Sequence, residues 1–174
     1  MKKQFLTLFT VAAILASCGG NQQSTESETE STATETESAV GTESESAEAA
    51  VSNTVEVTAN DQMKFDLSEI KVKAGEQVTL TLKNAGTMPK EAMGHNLVVL
   101  TPGTNVEEFA QTAMNAKAND YIPESLSSSI VAHTKLLGPN ESDTITFTLE
   151  KGEYEFICSF PGHYASMRGK IIVE

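Results

Sequence analysis

The 174-residue sequence has little positive charge, few cysteines and no hydrophobic run long enough to cross a membrane. Twelve Lys and Arg stand against 24 Asp and Glu, and the net charge of −12 argues against a nucleic-acid partner, which requires a basic surface. The longest apolar stretch, Phe5–Leu15, has 11 residues, whereas a transmembrane helix needs about 20. After Cys18 the only cysteine is Cys158, so the chain beyond Cys18 cannot form an internal disulfide.

The N-terminus has the features of an export signal. Lys2 and Lys3 precede the apolar stretch, which ends in Leu15-Ala-Ser-Cys18. This tetrapeptide resembles the lipobox of bacterial lipoproteins, in which the cysteine receives a lipid before cleavage. The sequence therefore predicts a signal peptide over residues 1–17 and a membrane anchor on Cys18. The alternative is a short buried hydrophobic helix with a chance cysteine.

A change of composition separates a tether from a domain. Residues 18–52 contain eight Glu, no basic residue and no aromatic residue. Such a segment cannot bury enough apolar surface to offset its ordering entropy, so it is predicted to be a disordered acidic tether with a reach of roughly 30 Å. Apolar patterning begins near Asn53, and residues 53–174 are predicted to form one domain.

Alternating apolar residues in this domain predict β-strands. Val78, Leu80 and Leu82 share one strand face while Thr and Lys occupy the other. The predicted strands are Thr54–Thr58, Phe65–Val72, Gln77–Lys83, Asn96–Leu100, Asp143–Leu149, Tyr154–Cys158 and Lys170–Val173. Turn-forming residues separate them, so the sequence predicts an all-β sandwich.

One segment has helical rather than strand periodicity. In Thr104–Lys117 apolar residues recur at three- and four-residue spacing, and the last of them is Met114. Thr104 and Glu107 fit a capping box, so a single short helix is predicted between strands.

The C-terminal part of the domain concentrates soft metal donors. A thiol, an imidazole and a thioether lie within ten residues at Cys158, His163 and Met167. Cys158 shares its predicted strand face with Phe156, so its sulfur should point inward. An unpaired thiol in an exported protein is unusual unless it is buried or coordinated, which favours a metal site.

Copper is the metal that this donor set favours. Two His, one Cys and a distant Met are the ligands of blue-copper electron-transfer sites, and His95 is the best candidate for the second imidazole because it has the parity of Leu97 and Val99. Zinc also binds Cys and His, but structural zinc sites rarely include a thioether, and zinc modules usually carry paired cysteines. Thr134 and Lys135 beside His133 indicate a surface position, so no copper role is predicted for it.

Four runs of the sequence resemble azurins, a family within the cupredoxins. They occur in the family order across most of residues 53–174: Asn60-Asp-Gln-Met63, Met88-Pro-Lys-Glu-Ala-Met-Gly-His-Asn96, Val131-Ala-His-Thr-Lys-Leu136 and Cys158-Ser-Phe-Pro-Gly-His163. The resemblance implies a Greek-key sandwich that holds one copper ion near one end. The predicted lipid anchor and tether resemble those of auracyanin-type cupredoxins.

The resemblance also implies roles for individual residues. The backbone carbonyl of Gly94 would be a weak axial ligand opposite Met167, and the amides of Asn96 and Phe160 would donate hydrogen bonds to the thiolate. The Asn96 side chain would tie the two ligand segments together. His163 would reach the surface inside an apolar electron-exit patch of Met63, Met93, Phe160, Pro161 and Gly162. Core packing is the alternative for Met63 and Met93.

Two positions depart from the azurin pattern. Gly75 stands where one of the family's disulfide cysteines is expected, and Leu97 stands where a buried Trp is common. The resemblance still implies an electron carrier of the bacterial cell envelope, periplasmic or associated with the outer membrane. Its redox partners would be c-type cytochromes, membrane redox complexes or copper or haem reductases. Catalysis and copper storage or delivery are the alternatives.

Overall fold

A computed structural model describes residues 50–174 and shows two β-sheets with short helical connections. The predicted signal peptide, Cys18 and most of the tether lie outside these residues. The strands are β1 Thr54–Asn60, β2 Lys64–Phe65, β3 Glu69–Val72, β4 Gln77–Asn84, β5 Val98–Leu100, β6 Ile130–His133, β7 Ser142–Thr148, β8 Gly152–Ile157 and β9 Arg168–Val173. The helices are α1 Lys90–Met93 and α2 Val106–Ala113, with 3-10 turns at Lys117–Asn119 and Glu124–Ser129.

The two sheets have mixed topology and share a core. Strands follow the order β2-β1-β4-β7 in the first sheet and β3-β9-β8-β5-β6 in the second. The pairs β1/β4 and β3/β9 are parallel, and the other pairs are antiparallel. One apolar cluster contains Leu80 and Phe147 from the first sheet together with Phe156 and Ile171 from the second. The prediction of an all-β sandwich is therefore confirmed.

The predicted strand alternation places the core residues correctly. In β4 the side chains of Val78, Leu80 and Leu82 are buried while those of Thr79 and Lys83 are not. Burying one such Val or Leu side chain contributes about 1.5–3 kcal/mol, so a one-residue slip of register would be strongly opposed.

The end of β8 is buried on both faces. Phe156 belongs to the core between the sheets, whereas Ile157 packs with Val98 and with Phe109 of α2 in a second cluster. Cys158 follows directly and returns to the first core, fully buried as its parity predicted. Helix α2 thus covers the outer side of the sheet directly behind the cysteine.

Several predicted boundaries were wrong. The predicted strand Phe65–Val72 is two strands in opposite sheets, because the Asp66 carboxylate and backbone hold the chain against Thr58 while it crosses over. Strand β6 was missed because its first three residues are half-buried and its last, His133, is exposed, so the strand lacks clear alternation.

The helical predictions also need correction. Helix α2 begins after Asn105, whose side chain accepts hydrogen bonds from the amides of Glu107 and Glu108, so Thr104 is not the cap. The helix ends at Ala113, and Met114 is exposed rather than on the buried face. Helix α1 was not predicted. In residues 50–174 no helix is long and apolar enough to span a bilayer.

Candidate metal centre

Three predicted ligands meet at one end of the sandwich. The donor atoms of His95, Cys158 and His163 lie within 4.8 Å of one another, and all three side chains are buried. The Cys158 Sγ is 3.6 Å from Nδ1 of His163, and the two imidazole ring centres are 5.0 Å apart. A single ion can therefore contact all three groups.

His95 lies just before β5, and its backbone pairs with that of Leu137. Its amide donates to the carbonyl of Leu137 at 3.1 Å, and the Leu137 amide donates back at 2.7 Å. The buried Thr134 hydroxyl accepts from the amide of Leu97 at 3.0 Å, which fixes the chain two residues later. These contacts fix the backbone of His95 from a segment about 40 residues away in sequence.

The buried His95 ring has the properties of a metal ligand. Neither of its two buried nitrogens makes a hydrogen bond of standard geometry within residues 50–174, although the Asn60 carbonyl lies near the ring. Burial lowers its pKa, and the Asn60 carbonyl and the Asp61 carboxylate offset only part of this effect. A neutral buried imidazole without a partner costs free energy unless something else occupies its lone pair, and a metal ion does so.

The loop from Cys158 to Met167 closes on itself. The Cys158 amide donates to the carbonyl of Met167 at 2.9 Å, and the Met167 amide donates to the carbonyl of His163 at 2.8 Å. Gly162 has φ of 84°, a left-handed conformation that the turn after Pro161 requires. Met167 is fully buried, so the loop brings the thioether inside next to the strand end that carries the thiol.

Burial controls the protonation of the metal-free donors. It raises the pKa of the Cys158 thiol to about 11, although hydrogen bonds from the amides of Asn96 and Phe160 act in the opposite direction. Burial and the neighbouring His95 lower the pKa of His163 to about 4. At neutral pH the metal-free pocket therefore holds a thiol and two neutral imidazoles, and metal binding must displace the thiol proton.

The Asn96 side chain joins the two ligand segments. Its Oδ1 accepts from the amide of Ser159 at 2.8 Å, and its Nδ2 donates to the Ser159 hydroxyl at 2.8 Å and to the carbonyl of Asp120 at 3.0 Å. The Ser159 hydroxyl also donates to the carbonyl of Tyr121. Ser159, Asp120 and Tyr121 were missed, and the only sequence signal was the polar Ser159 directly after the buried Cys158.

Gly94 is required by space rather than by backbone conformation. A Cβ at this position would lie 2.6 Å from the carbonyl of Lys90 and 3.0 Å from Cγ of Leu136. Any larger residue would push the segment that carries His95 away from its neighbours.

The predicted electron-exit patch lies partly at the surface. Met63 is 38% exposed and Gly162 is exposed, while Met93 and Pro161 are half-buried. His163 is 3% exposed and its ring lies 4.6 Å from that of Phe160. The exposure of Met63 contradicts the core-packing alternative for that residue. His133 is exposed and outside the metal cluster.

The donor set fits copper, and the comparisons with known proteins agree. Residues 50–174 match the family model described as copper binding proteins, plastocyanin/azurin family. The chain belongs to this family. It binds copper through a buried Cys and His set, one ion per chain, in the arrangement expected for soft and borderline ligands.

Individual relatives place the chain within the azurin branch. It is 44% identical over 121 residues to azurin-2 of Alcaligenes xylosoxydans xylosoxydans, which covers 66% of this chain and 92% of the relative. It is 41% identical over 119 residues to outer membrane protein H.8 of Neisseria meningitidis, covering 66% of this chain but only 64% of that relative. A reduced auracyanin from Roseiflexus castenholzii superposes with a TM-score of 0.65 at 36% identity, covering 72% of this chain and 99% of the other.

The two departures from the azurin pattern fit this fold. Leu97 is fully buried in the core, so an apolar residue occupies the position of the family's Trp. Gly75 has φ of 72° in the turn between β3 and β4, a conformation that a cysteine adopts only with strain. Cys158 is the free cysteine of residues 50–174, so packing and hydrogen bonds stabilise the described domain without a disulfide.

Proposed function

We propose that the protein carries single electrons, with His95, Cys158, His163 and Met167 as copper ligands and the Gly94 carbonyl as a weak axial contact. The observation that carries the proposal is the pair of unpartnered nitrogens of His95 beside the Cys158 thiol and the His163 ring. When bound, copper supplies a couple between Cu(I) and Cu(II). The thiol and thioether favour Cu(I), while the imidazoles accept both states.

The protein part of the site suits repeated electron transfer because its donors are fixed before metal binds. The backbone pairing with Leu137, the Asn96 bridge and the hydrogen bonds within the 158–167 loop restrain the backbone at all four ligand positions. Little rearrangement is then needed when the charge of the site changes. The amides of Asn96 and Phe160 that face the sulfur withdraw charge from it and favour the reduced state.

His163 is the proposed point of electron exit. It is the only one of the four proposed ligands with measurable exposure, and its ring contacts Phe160 beneath Pro161 and Gly162 at the surface. An apolar rim of Met63, Met93 and these loop residues can be desolvated quickly in a small contact. Brief encounters between redox proteins use such small interfaces.

Catalysis is disfavoured by the filled donor set and by the surroundings of the site. Two cavities of about 270 and 400 Å³ are lined by residues elsewhere on the domain and contain none of the four donors. Storage or delivery of copper requires ligands that exchange readily, whereas Cys158 and Met167 are fully buried. A carrier that keeps its ion explains this burial best.

The location that we propose is the bacterial cell envelope, with the domain held to a membrane by lipidated Cys18 and the acidic tether. The name of the Neisseria relative, an outer membrane protein, supports this placement. Suitable partners are c-type cytochromes, membrane redox complexes or copper or haem reductases. Replacing Cys18 by Ser should move the protein from the membrane fraction to the soluble fraction, and an unchanged distribution would refute the anchor.

The electron-carrier function is tested by redox titration of the copper-loaded full-length protein. We expect an intense visible band from charge transfer between thiolate and copper, which bleaches on reduction and returns on oxidation over many cycles. A colourless protein that transfers its copper rapidly to a chelator would instead indicate delivery.

A further inference from the structure

Two exposed methionines lie on neighbouring loops beside His95. Met63 is 38% exposed and Met88 is 40% exposed, although large apolar side chains of the domain are mostly buried. Met63 also has φ of 54°, a left-handed conformation that is uncommon for a residue with a side chain. Backbone in such a conformation persists where surrounding contacts enforce it, and it often marks a functional surface.

Asp61 fastens the two methionine loops together. Its carboxylate accepts from the amide and hydroxyl of Thr87 at 2.8 and 2.9 Å and from the amide of Met88 at 3.3 Å. Met63 lies two residues after Asp61 in a turn in which its amide donates to the carbonyl of Asn60. A Cβ at Gly86 would overlap the Asp61 carboxylate, so the close approach of the loops depends on glycine there.

Burial increases from these loops towards the copper ligands. Met88 and Met63 are exposed, Met93 at the end of α1 is half-buried, and His95 two residues later is fully buried. The Asp61 carboxylate bonds the amides of Thr87 and Met88, and α1 connects Met88 to His95, so both methionine loops adjoin the segment that carries His95. Three methionines and one carboxylate thus belong to the two loops and the short helix α1 that adjoin the segment of the buried imidazole.

Thioether sulfur is a soft donor that binds Cu(I) and has little affinity for Cu(II). We propose that Met63 and Met88 form a capture site for Cu(I), from which the ion passes by Met93 to the buried donors. The proposal rests on the copper function above and adds a role in copper loading for the exposed methionines Met63 and Met88. The transfer is ligand exchange without oxidation: Cu(I) leaves the thioethers, the Cys158 thiol loses its proton to solvent, and a copper–thiolate bond forms.

The test measures the rate at which the metal-free full-length chain takes Cu(I) from a coloured Cu(I)–bicinchoninate complex. The variant carries Met63→Leu and Met88→Leu, which conserve volume and leave the buried ligands in place. The matched control is Met114→Leu, which removes an exposed thioether at the end of α2. We expect uptake by the double variant to be about tenfold slower, equivalent to about 1.4 kcal/mol in the barrier, with the control at the wild-type rate.

Two further measurements separate capture from other effects. Loading with Cu(II) should proceed at the wild-type rate in the double variant, because thioethers select the reduced ion. Ag(I), a Cu(I) mimic that does not change oxidation state, should shift the methyl NMR signals of Met63 and Met88 in the Cys158→Ser chain and leave that of Met114 unchanged.

Several results would overturn the capture site. They are an unchanged Cu(I) rate in the double variant, equal slowing of Cu(I) and Cu(II), equal slowing by Met114→Leu, and silver shifts that are no larger at Met63 and Met88 than at Met114. The electron-carrier function is judged separately from the colour of the fully loaded variants. A blue, reversibly bleaching double variant with unaltered uptake would reject the capture site alone.

Discussion

The two segments that supply the proposed copper ligands are built in different ways. His95 lies in the segment just before β5, which is held by hydrogen bonds to Leu137 and Thr134, far away in sequence. The other three donors lie within ten residues, in a loop closed by its own hydrogen bonds between Cys158, His163 and Met167. The His95 segment is positioned by the fold, and the 158–167 loop is positioned mainly by local geometry.

This difference explains how the site can combine rigidity with access. The side chains of His95 and Asn96 are fully buried, whereas the loop places the His163 imidazole, which is 3% exposed, next to the exposed Gly162. The Asn96 side chain connects the two segments through hydrogen bonds to Ser159, and the Asn96 amide faces the Cys158 sulfur. Substitutions in the loop should therefore alter the copper properties, and substitutions at the bridge should also alter folding stability.

The largest effect is expected from Cys158→Ser in the loop. The thiolate is the proposed charge-transfer donor, so the visible band should disappear from the copper-treated protein, as measured by absorption spectroscopy. Ser166→Ala in the same loop removes a hydroxyl near the surface and should keep the band. A blue Cys158→Ser protein would show that the sulfur is not a ligand.

The bridge is tested by Asn96→Ala. The change leaves the buried Ser159 amide without its partner and removes one hydrogen bond of the Ser159 hydroxyl, so the free energy of unfolding of the metal-free protein should fall by about 3 kcal/mol. Urea unfolding measures this loss. The control is Asn119→Ala, whose exposed amide bonds Glu124 and should contribute less than about 0.5 kcal/mol. Equal effects of the two substitutions would mean that the bridge does not join the segments energetically.

Acid should destabilise the metal-free protein through the loop imidazole. The pKa of His163 is lowered to about 4 in the folded chain, so between pH 6.5 and 4 the unfolded chain binds a proton that the folded chain does not. Above pH 6.5 the contribution of His163 to the free energy of unfolding is fully present. It should fall by about 2 kcal/mol as the pH drops to 4, less than the pKa shift alone would give because the imidazole remains partly solvated.

Unfolding measured at several pH values tests this coupling. His163→Gln should reduce the slope of the acid limb of the stability profile and leave the part due to His95, whose pKa burial also lowers. An identical slope in the wild-type protein and the His163→Gln variant would place the source of acid sensitivity elsewhere.

The same contrast between segments explains what the sequence could predict. Local patterns identified the loop donors, the inward face of Cys158 and the alternation of β4, because each depends on residues close together in the chain. The His95 position was inferred from parity, but the Leu137 and Thr134 contacts that fix it were not foreseen. Long-range hydrogen bonds depend on the complete fold and leave no local pattern.

The errors have the same origin. Thr104 and Asn105 are both good caps, and only the packing of Val106 and Phe109 against β5 and β8 decides where α2 begins. The segment from Phe65 to Val72 was predicted as one strand, yet the chain crosses between the sheets after Phe65; the change of apolar parity between Leu67 and Ile70 is a local sign of this break. Ser159 has a structural role because its amide bonds the Asn96 side chain, a contact between residues that are far apart in the sequence.

The smallest expected effect is that of Met167→Leu at the end of the loop. Leucine nearly conserves the volume of this fully buried side chain but removes its weak donor, so copper should remain bound by the other three ligands. Cu(I) accepts three-coordination more readily than Cu(II), and this outweighs the loss of a soft donor, so the reduction potential measured by voltammetry should rise by roughly 60 mV, a tenfold shift for a one-electron couple. Met114→Leu, far from the ligands in sequence and exposed, should leave the potential unchanged. Loss of copper from the Met167→Leu protein would instead show that the loop needs the thioether to hold the metal, and the three-donor set joined through Asn96 would then be insufficient.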